Sequence, residues 1–219
     1  MNNLSLAQQI MIWILPILFA VTVHETAHGW VASLLGDNTA KRLGRLTLNP
    51  IKHIDLLGTV ILPLLCILFG NFIFGWAKPV PINPNNFKHF RRDSAIVAAA
   101  GPLSNLLMAL IWGSIAKLGM VLLPTIGPNA HFLVYSGSAG IAINTVLLIL
   151  NLVPIPPLDG SRVVSGFLPP NLARRYDAIE PYGFFILIIL LFTGVLYAVL
   201  GPILETVQKT LFALFGLYG

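Results

Sequence analysis

Charge is the scarcest commodity in this sequence. Only 10% of its 219 residues are charged, whereas a soluble domain carries about 25%. With 56% hydrophobic residues and a mean hydropathy of +0.84, this excludes a water-soluble domain and indicates an all-α, multi-pass integral membrane protein. Cysteine occurs once, as Cys66, so no intrachain disulfide can form. In its apolar segment the thiol reads as a small buried hydrophobe. The first residues, MNNLSLAQQ, lack the basic region and small-residue cleavage site of a signal peptide, so the first apolar helix is expected to stay. No polar segment is long enough for a PDZ-like insertion or a soluble regulatory domain, and one membrane domain over 1–219 is expected. The formal charge of +5 is not a nucleic-acid footprint, because basic residues beside membrane spans more often report topology.

Against this apolar background one stretch stands out. Residues 20–30 read AVTVHETAHGW and place His24, Glu25 and His28 in an H-E-x-x-H spacing after an uncharged apolar run. Ionisable groups at membrane depth are expensive and point to function. Imidazoles at i and i+4 sit about 40° apart around a helix and can bite one metal ion.

Taken in order, residues 6–35 form a first helix long enough to cross a bilayer. The polar segment after it alternates over residues 43–48, a hint of a short strand ended by Asn49-Pro50. Residues 56–74 are apolar but interrupted by Gly58, Pro63 and Gly70. Prolines 79, 81 and 84 forbid helix and favour an extended strand or a loop within residues 75–90. Residues 94–117 make a helix with small residues near its start, suited to close backbone approach in lipid. Residues 119–136 read as a turn-rich connection, residues 137–160 as an apolar helix running into PIPPLDG, and residues 160–182 as a polar loop. Residues 182–200 read as a further span and residues 202–217 as an interfacial helix.

A third metal ligand has to come from the few remaining acids. Asp55, Asp93 and Asp177 sit beside Lys or Arg, and Glu205 is four residues from Lys209. Asp159 follows an apolar helix, Asn151 and the rigid run 154–157, a setting that suits a cavity wall. Spacing alone leaves open an ordinary Asp-Gly turn at a membrane surface.

His24-Glu25-Thr26-Ala27-His28, followed by Gly101-Pro102-Leu103-Ser104-Asn105 and by the run from Asn151 to Asp159-Gly160, resembles the site-2 proteases, the intramembrane zinc metalloproteases. The likeness covers roughly residues 10 to 165. It implies one zinc ion held by His24, His28 and Asp159, Glu25 as catalytic base, and Asn151 as the amide that positions or polarises the substrate carbonyl. It also implies a transmembrane protein or peptide as substrate. The chemistry is consistent with two imidazoles and a carboxylate leaving an open zinc position. A purely structural zinc would favour a cysteine-rich set of four ligands.

If the ligands meet at one depth, the first helix and the helix leading to Asp159 should run the same way, with an odd number of crossings between them. Residues 94–117 supply one, so residues 56–74 are expected to be re-entrant, with a full span as the alternative. Loops 36–55, 76–93 and 160–182 carry four, four and three basic residues, which places them in the cytoplasm and the N-terminus outside. Segments 43–48 and 78–83 offer edges to which an unwound substrate could add as a strand, making Thr47 and Val80 candidate substrate contacts. Asn105 either lines the cavity or bonds across helices. His53, His89 and His131 are expected in solvated loops, His53 and His89 facing lipid head groups. The competing classes are a metal-cation transporter, disfavoured because the intramembrane ionisable groups form one cluster without repeats, and an inactive scaffold, disfavoured by the intact Glu25.

Overall fold

The computed structural model describes residues 5–61 and 77–217. Helix α1 (Leu6–Leu34) starts at a capping box in which the Ser5 hydroxyl accepts from Gln8 N–H and the Gln8 side chain accepts from Ser5 N–H. A short helix α2 (Thr39–Arg42) and helical turns at Pro50–His53, Leu56–Ile61 and Pro84–Asn86 follow. Then come α3 (Phe90–Ile126), a tight turn at Gly127–Ala130, α4 (His131–Asn151), α5 (Asp159–Phe167), α6 (Pro170–Asp177), α7 (Glu180–Phe192) and α8 (Val195–Leu214).

The centre is the α3–α4 hairpin. Gly119 lies against Leu133 and Val134, Gly137 against Ala116 and Trp112, and Gly140 against the Trp112 ring, so the two helices are antiparallel and nearly in backbone contact. This explains why residues 119–136 are not the turn-rich connection their composition suggests. Gly119 is there because a side chain would meet the opposite backbone, and α3 continues past it and Pro124 to Ile126. Helix α1 packs antiparallel to α3, with His24 beside Asn105 and His28 beside Val97. Since α1 and α4 both oppose α3, they run parallel. Helix α8 leans on the hairpin through a cluster of Ala109, Ile141 and Leu211.

Helix α1 and the α3–α4 stretch are long and apolar enough to cross a membrane, and α1 exposes Ile10, Ile14 and Phe19 outwards. Helices α7 and α8 would count as one broken span, bent by 78°. The bend falls at Thr193-Gly194, where Gly194 takes φ +74°, a value costly for any residue with a Cβ. The break therefore divides the expected 182–200 span, and α8 runs through Pro202.

Three other expectations are corrected. No β-ladder forms among the described residues. In 43–48, Gly44 turns back with φ +62° and Arg45 N–H is spent on Ala40 O. In 78–83, Pro79 and Pro81 have no donors to offer. The two segments meet instead through the Arg45 guanidinium, which donates to the carbonyls of Lys78 and Pro79. The helix expected over 137–160 is two helices: α4 ends at Asn151, and the chain folds back before Asp159 opens α5. The fold-back needs Gly160, since a Cβ there would collide with the Leu152 carbonyl. Most of 160–182 is helical, α5 and α6, with Arg91 anchoring α5 to α3 by donating to the carbonyls of Ser165 and Leu168. Cys66 and most of the 56–74 segment, including its re-entrant or spanning character, lie outside the described residues.

Candidate metal centre

His24 and His28 are both buried at 8% exposure, and their Nε2 atoms lie 3.1 Å apart. Asp159 Oδ2 sits 3.2 Å from the first and 3.3 Å from the second. The three ligand atoms come from the second half of α1 and the first residue of α5. They face α3 at Gly101, where even a methyl group would collide with both imidazoles.

Proton positions decide what this cluster is. His24 Nδ1 lies 2.7 Å from Asn105 Oδ1, and His28 Nδ1 lies 2.7 Å from the Val97 carbonyl oxygen. Asn105 uses its amide nitrogen to donate to Ala20 O at 3.2 Å and Asn144 Oδ1 at 3.0 Å, so the oxygen is what faces His24. Both Nδ1 atoms therefore donate to oxygens, and in the neutral imidazoles both Nε2 atoms carry lone pairs. Those lone pairs point at each other and at a carboxylate oxygen that is buried without a hydrogen-bond partner. The 3.1–3.3 Å contacts among them are thus acceptor against acceptor. Such an arrangement is repulsive alone and becomes favourable around a cation. The donor set, two imidazole nitrogens and one carboxylate oxygen, fits Zn²⁺ with a position left open.

Glu25 and Asn151 share with the three ligands a cavity of about 530 Å³, lined also by Pro79, Val80 and Arg162. The Glu25 carboxylate accepts a hydrogen bond from Val80 N–H at 2.9 Å. Asn151 donates to Leu147 O at 3.0 Å. Val80 is a buried part of this wall, packed close to Gly29. Thr47 is not among the residues lining the cavity. Its carbonyl accepts from Thr26 Oγ1, inside the H-E-x-x-H stretch, and from His53, each at 2.9 Å. Asn105 is wholly buried and bonds across helices.

The segment over Glu25 is tied down at both ends. Lys78 N–H donates to His53 O, and Asn83 N–H donates to Asp37 Oδ2 at 2.7 Å. Asp37 also accepts from Asn86 Nδ2 and from the Thr39 backbone and hydroxyl. Burial pushes the Asp37 pKa up, but these donors outweigh it and hold the carboxyl below its ordinary value.

Two residues, Asn144 and Asp37, had no assigned part in the sequence reading, and a third, His53, had a different one. Asn144 is a lone amide inside an apolar helix, and the cost argument that marked His24 applies to it equally. Asp37 and the buried His53, which is not the solvated residue expected, are legible only once loops 36–55 and 77–89 are in place. His89 and His131 are exposed.

The chain is 38% identical over 208 residues to "Putative zinc metalloprotease YwhC" of Bacillus subtilis (strain 168), covering 92% of this chain and 90% of that one. It is 30% identical over 180 residues to a protein of the same description, Rip2, from Mycolicibacterium smegmatis, covering 82% of this chain and 66% of Rip2. Rip2 of Mycobacterium tuberculosis (strain H37Rv) is 28% identical over 174 residues, 79% of this chain and 63% of its own length. No family model matches the chain, and no solved structure matches it.

Proposed function

This chain belongs to the site-2 protease family of zinc metalloproteases, and on that footing we propose that it is an intramembrane endopeptidase, hydrolysing a peptide bond in or near a transmembrane segment of a substrate protein. The observation that carries the reading is the convergence of three lone-pair donors, His24, His28 and Asp159, in the same cavity as Glu25, the two histidines on a helix of membrane-crossing length. Zinc, when bound, supplies a Lewis acid for the scissile carbonyl and acidifies water. Glu25 takes a proton from the attacking water and returns it to the leaving amine. Its hydrogen bond from Val80 N–H holds the carboxylate in one orientation between those events. The Asn151 amide has one N–H engaged by Leu147 O and a second to offer the substrate carbonyl.

A helical substrate must unwind before its amides are accessible. Segment 77–83 forms part of the cavity wall, and its Val80, together with Thr47, remains our candidate for the region that receives the unwound strand. Lipid covers the outer face of the bundle. The basic loops 36–55, 76–93 and 160–182 support a cytoplasmic location for these segments and an outside N-terminus. Labelling of cysteines placed at residues 77–93 from the outer face would overturn that orientation.

The test uses protein purified in detergent, assayed for bound zinc and for cutting a model transmembrane peptide, beside Glu25→Gln. The expected outcome is equal zinc in both and a loss of cleavage of at least about 10³-fold in the variant, in keeping with removal of a general base from a protease. Zinc flux into liposomes that survives Glu25→Gln, with no cleavage by the parent, would overturn the protease reading.

A further inference from the structure

The two histidines hold their Nδ1 protons by different means. His28 donates to a backbone carbonyl, Val97 O, whose identity no side chain can change. His24 donates to a side-chain amide, and an amide can be turned over. The Asn105 amide is kept in its useful orientation by two acceptors on its nitrogen, Ala20 O from α1 and Asn144 Oδ1 from α4. Asn144 is itself oriented, because its Nδ2 donates to Gly140 O at 2.8 Å, and a carbonyl can only accept. Asn105 and Asn144 are both fully buried, so no water can replace either partner.

We propose that Asn144 is a positioning residue for the metal centre, acting through Asn105 to keep the His24 proton on Nδ1 and its Nε2 lone pair directed at the metal. The chain of constraint runs from Gly140 O to Asn144, from Asn144 to Asn105, and from Asn105 to His24. Each link turns a fixed acceptor into a fixed donor on the next group. Without Asn144, one hydrogen of the Asn105 amide loses its acceptor in an apolar interior, and the flipped amide, or a His24 protonated at Nε2, becomes competitive. Partners of this kind outside the ligand set change metal affinity by about 10- to 100-fold. The inference rests on the zinc reading of His24, His28 and Asp159 but not on proteolysis.

The test compares the parent with Asn144→Leu, similar in volume but without polar atoms, and with Asn144→Asp, which in its neutral acid form supplies the same donor and acceptor. Zinc affinity is read by chelator competition in detergent. The imidazole tautomers are read by ¹⁵N-histidine NMR on the metal-free proteins, and their melting temperatures are recorded alongside. For Asn144→Leu we expect zinc binding weaker by about 10-fold or more, a growing Nε2-protonated fraction at His24, and an unchanged His28. Asn144→Asp should stay within about threefold of the parent. An Asn144→Leu protein that melts earlier yet binds zinc as the parent does, with His24 still protonated at Nδ1, would reduce Asn144 to a packing role and overturn the proposal. If Asn144→Leu does not fold, Asn144→Asp decides, since a folded Asp variant with zinc binding lost also overturns it. A parent that binds zinc and cuts nothing would count against the protease reading alone.

Discussion

The candidate zinc ligands and the proposed catalytic base sit in one cavity but are held by two different kinds of structure. His24 and His28 are positioned by helix against helix, with α1, α3 and α4 in a register set by small residues and locked by buried amides. Glu25, adjacent in sequence, is oriented by a proline-rich segment with no regular structure, anchored through Asp37, His53 and Arg45. Helical packing resists displacement of a whole element, whereas a segment tied by a few hydrogen bonds opens locally at much lower free energy. The division suits the proposed reaction, in which the metal is kept while a bulky chain is admitted.

The comparison breaks most completely at Gly101. Gly101→Val places side-chain carbon where both imidazoles lie, and zinc binding should fall by more than about 100-fold, measured as metal content after dialysis. A variant that keeps its zinc would show that α1 can slide on α3. On the other side, Val80→Pro removes the N–H that holds Glu25 while leaving a residue already flanked by prolines. A hydrogen bond to a charged group contributes about 1.5–3 kcal/mol. A loss of about 10- to 150-fold in kcat is therefore expected, with zinc content unchanged. Equal loss of zinc would mean the two regions are not separable.

The smallest effect concerns acid. The Asp37 carboxyl is held below its ordinary value of 3.8 in the folded protein, so its ionised form is favoured by folding. That contribution is complete above the unfolded value, and it disappears as the pH falls through the lower folded value. The protection of the Asn83 amide against hydrogen exchange, relative to its intrinsic rate at each pH, should fall below about pH 4 while zinc-ligand geometry in α1 is judged separately by metal retention. Asp37→Asn should show low protection at Asn83 already at neutral pH and little further change in acid.

How much of this was legible in the residues depended on how local the cause was. His24, Glu25 and His28 could be read because helical periodicity alone puts them on one face, and Asp159 because acids in an apolar chain are few. The parallel course of α1 and α4 followed from requiring the ligands to meet. The strand hinted at over 43–48 does not form, because alternation describes a face whereas pairing needs donors that the Gly44 turn withholds, and of the strand and the loop that the prolines at 78–83 allow, the loop is found. The helix expected over 137–160 failed on Gly160, whose need for space against Leu152 O is a tertiary fact. Gly119 was misread as punctuation for the same reason. Asn144 could have been found by the same rule as His24 and was passed over.

The α3–α4 register also limits how the chain can vary in length. One residue added to α4 between Gly140 and Asn144 would rotate everything beyond it by about 100°, turning either the Trp112 contact or the Asn105 contact away from its partner. The same holds on α3 between Asn105 and Trp112. Insertions and deletions should therefore be tolerated at the Gly127–Ala130 tip and in the outer loops, and rejected in the two helices below it. The spacing between Asn105 and Asn144 can change only by lengthening the hairpin at its far end.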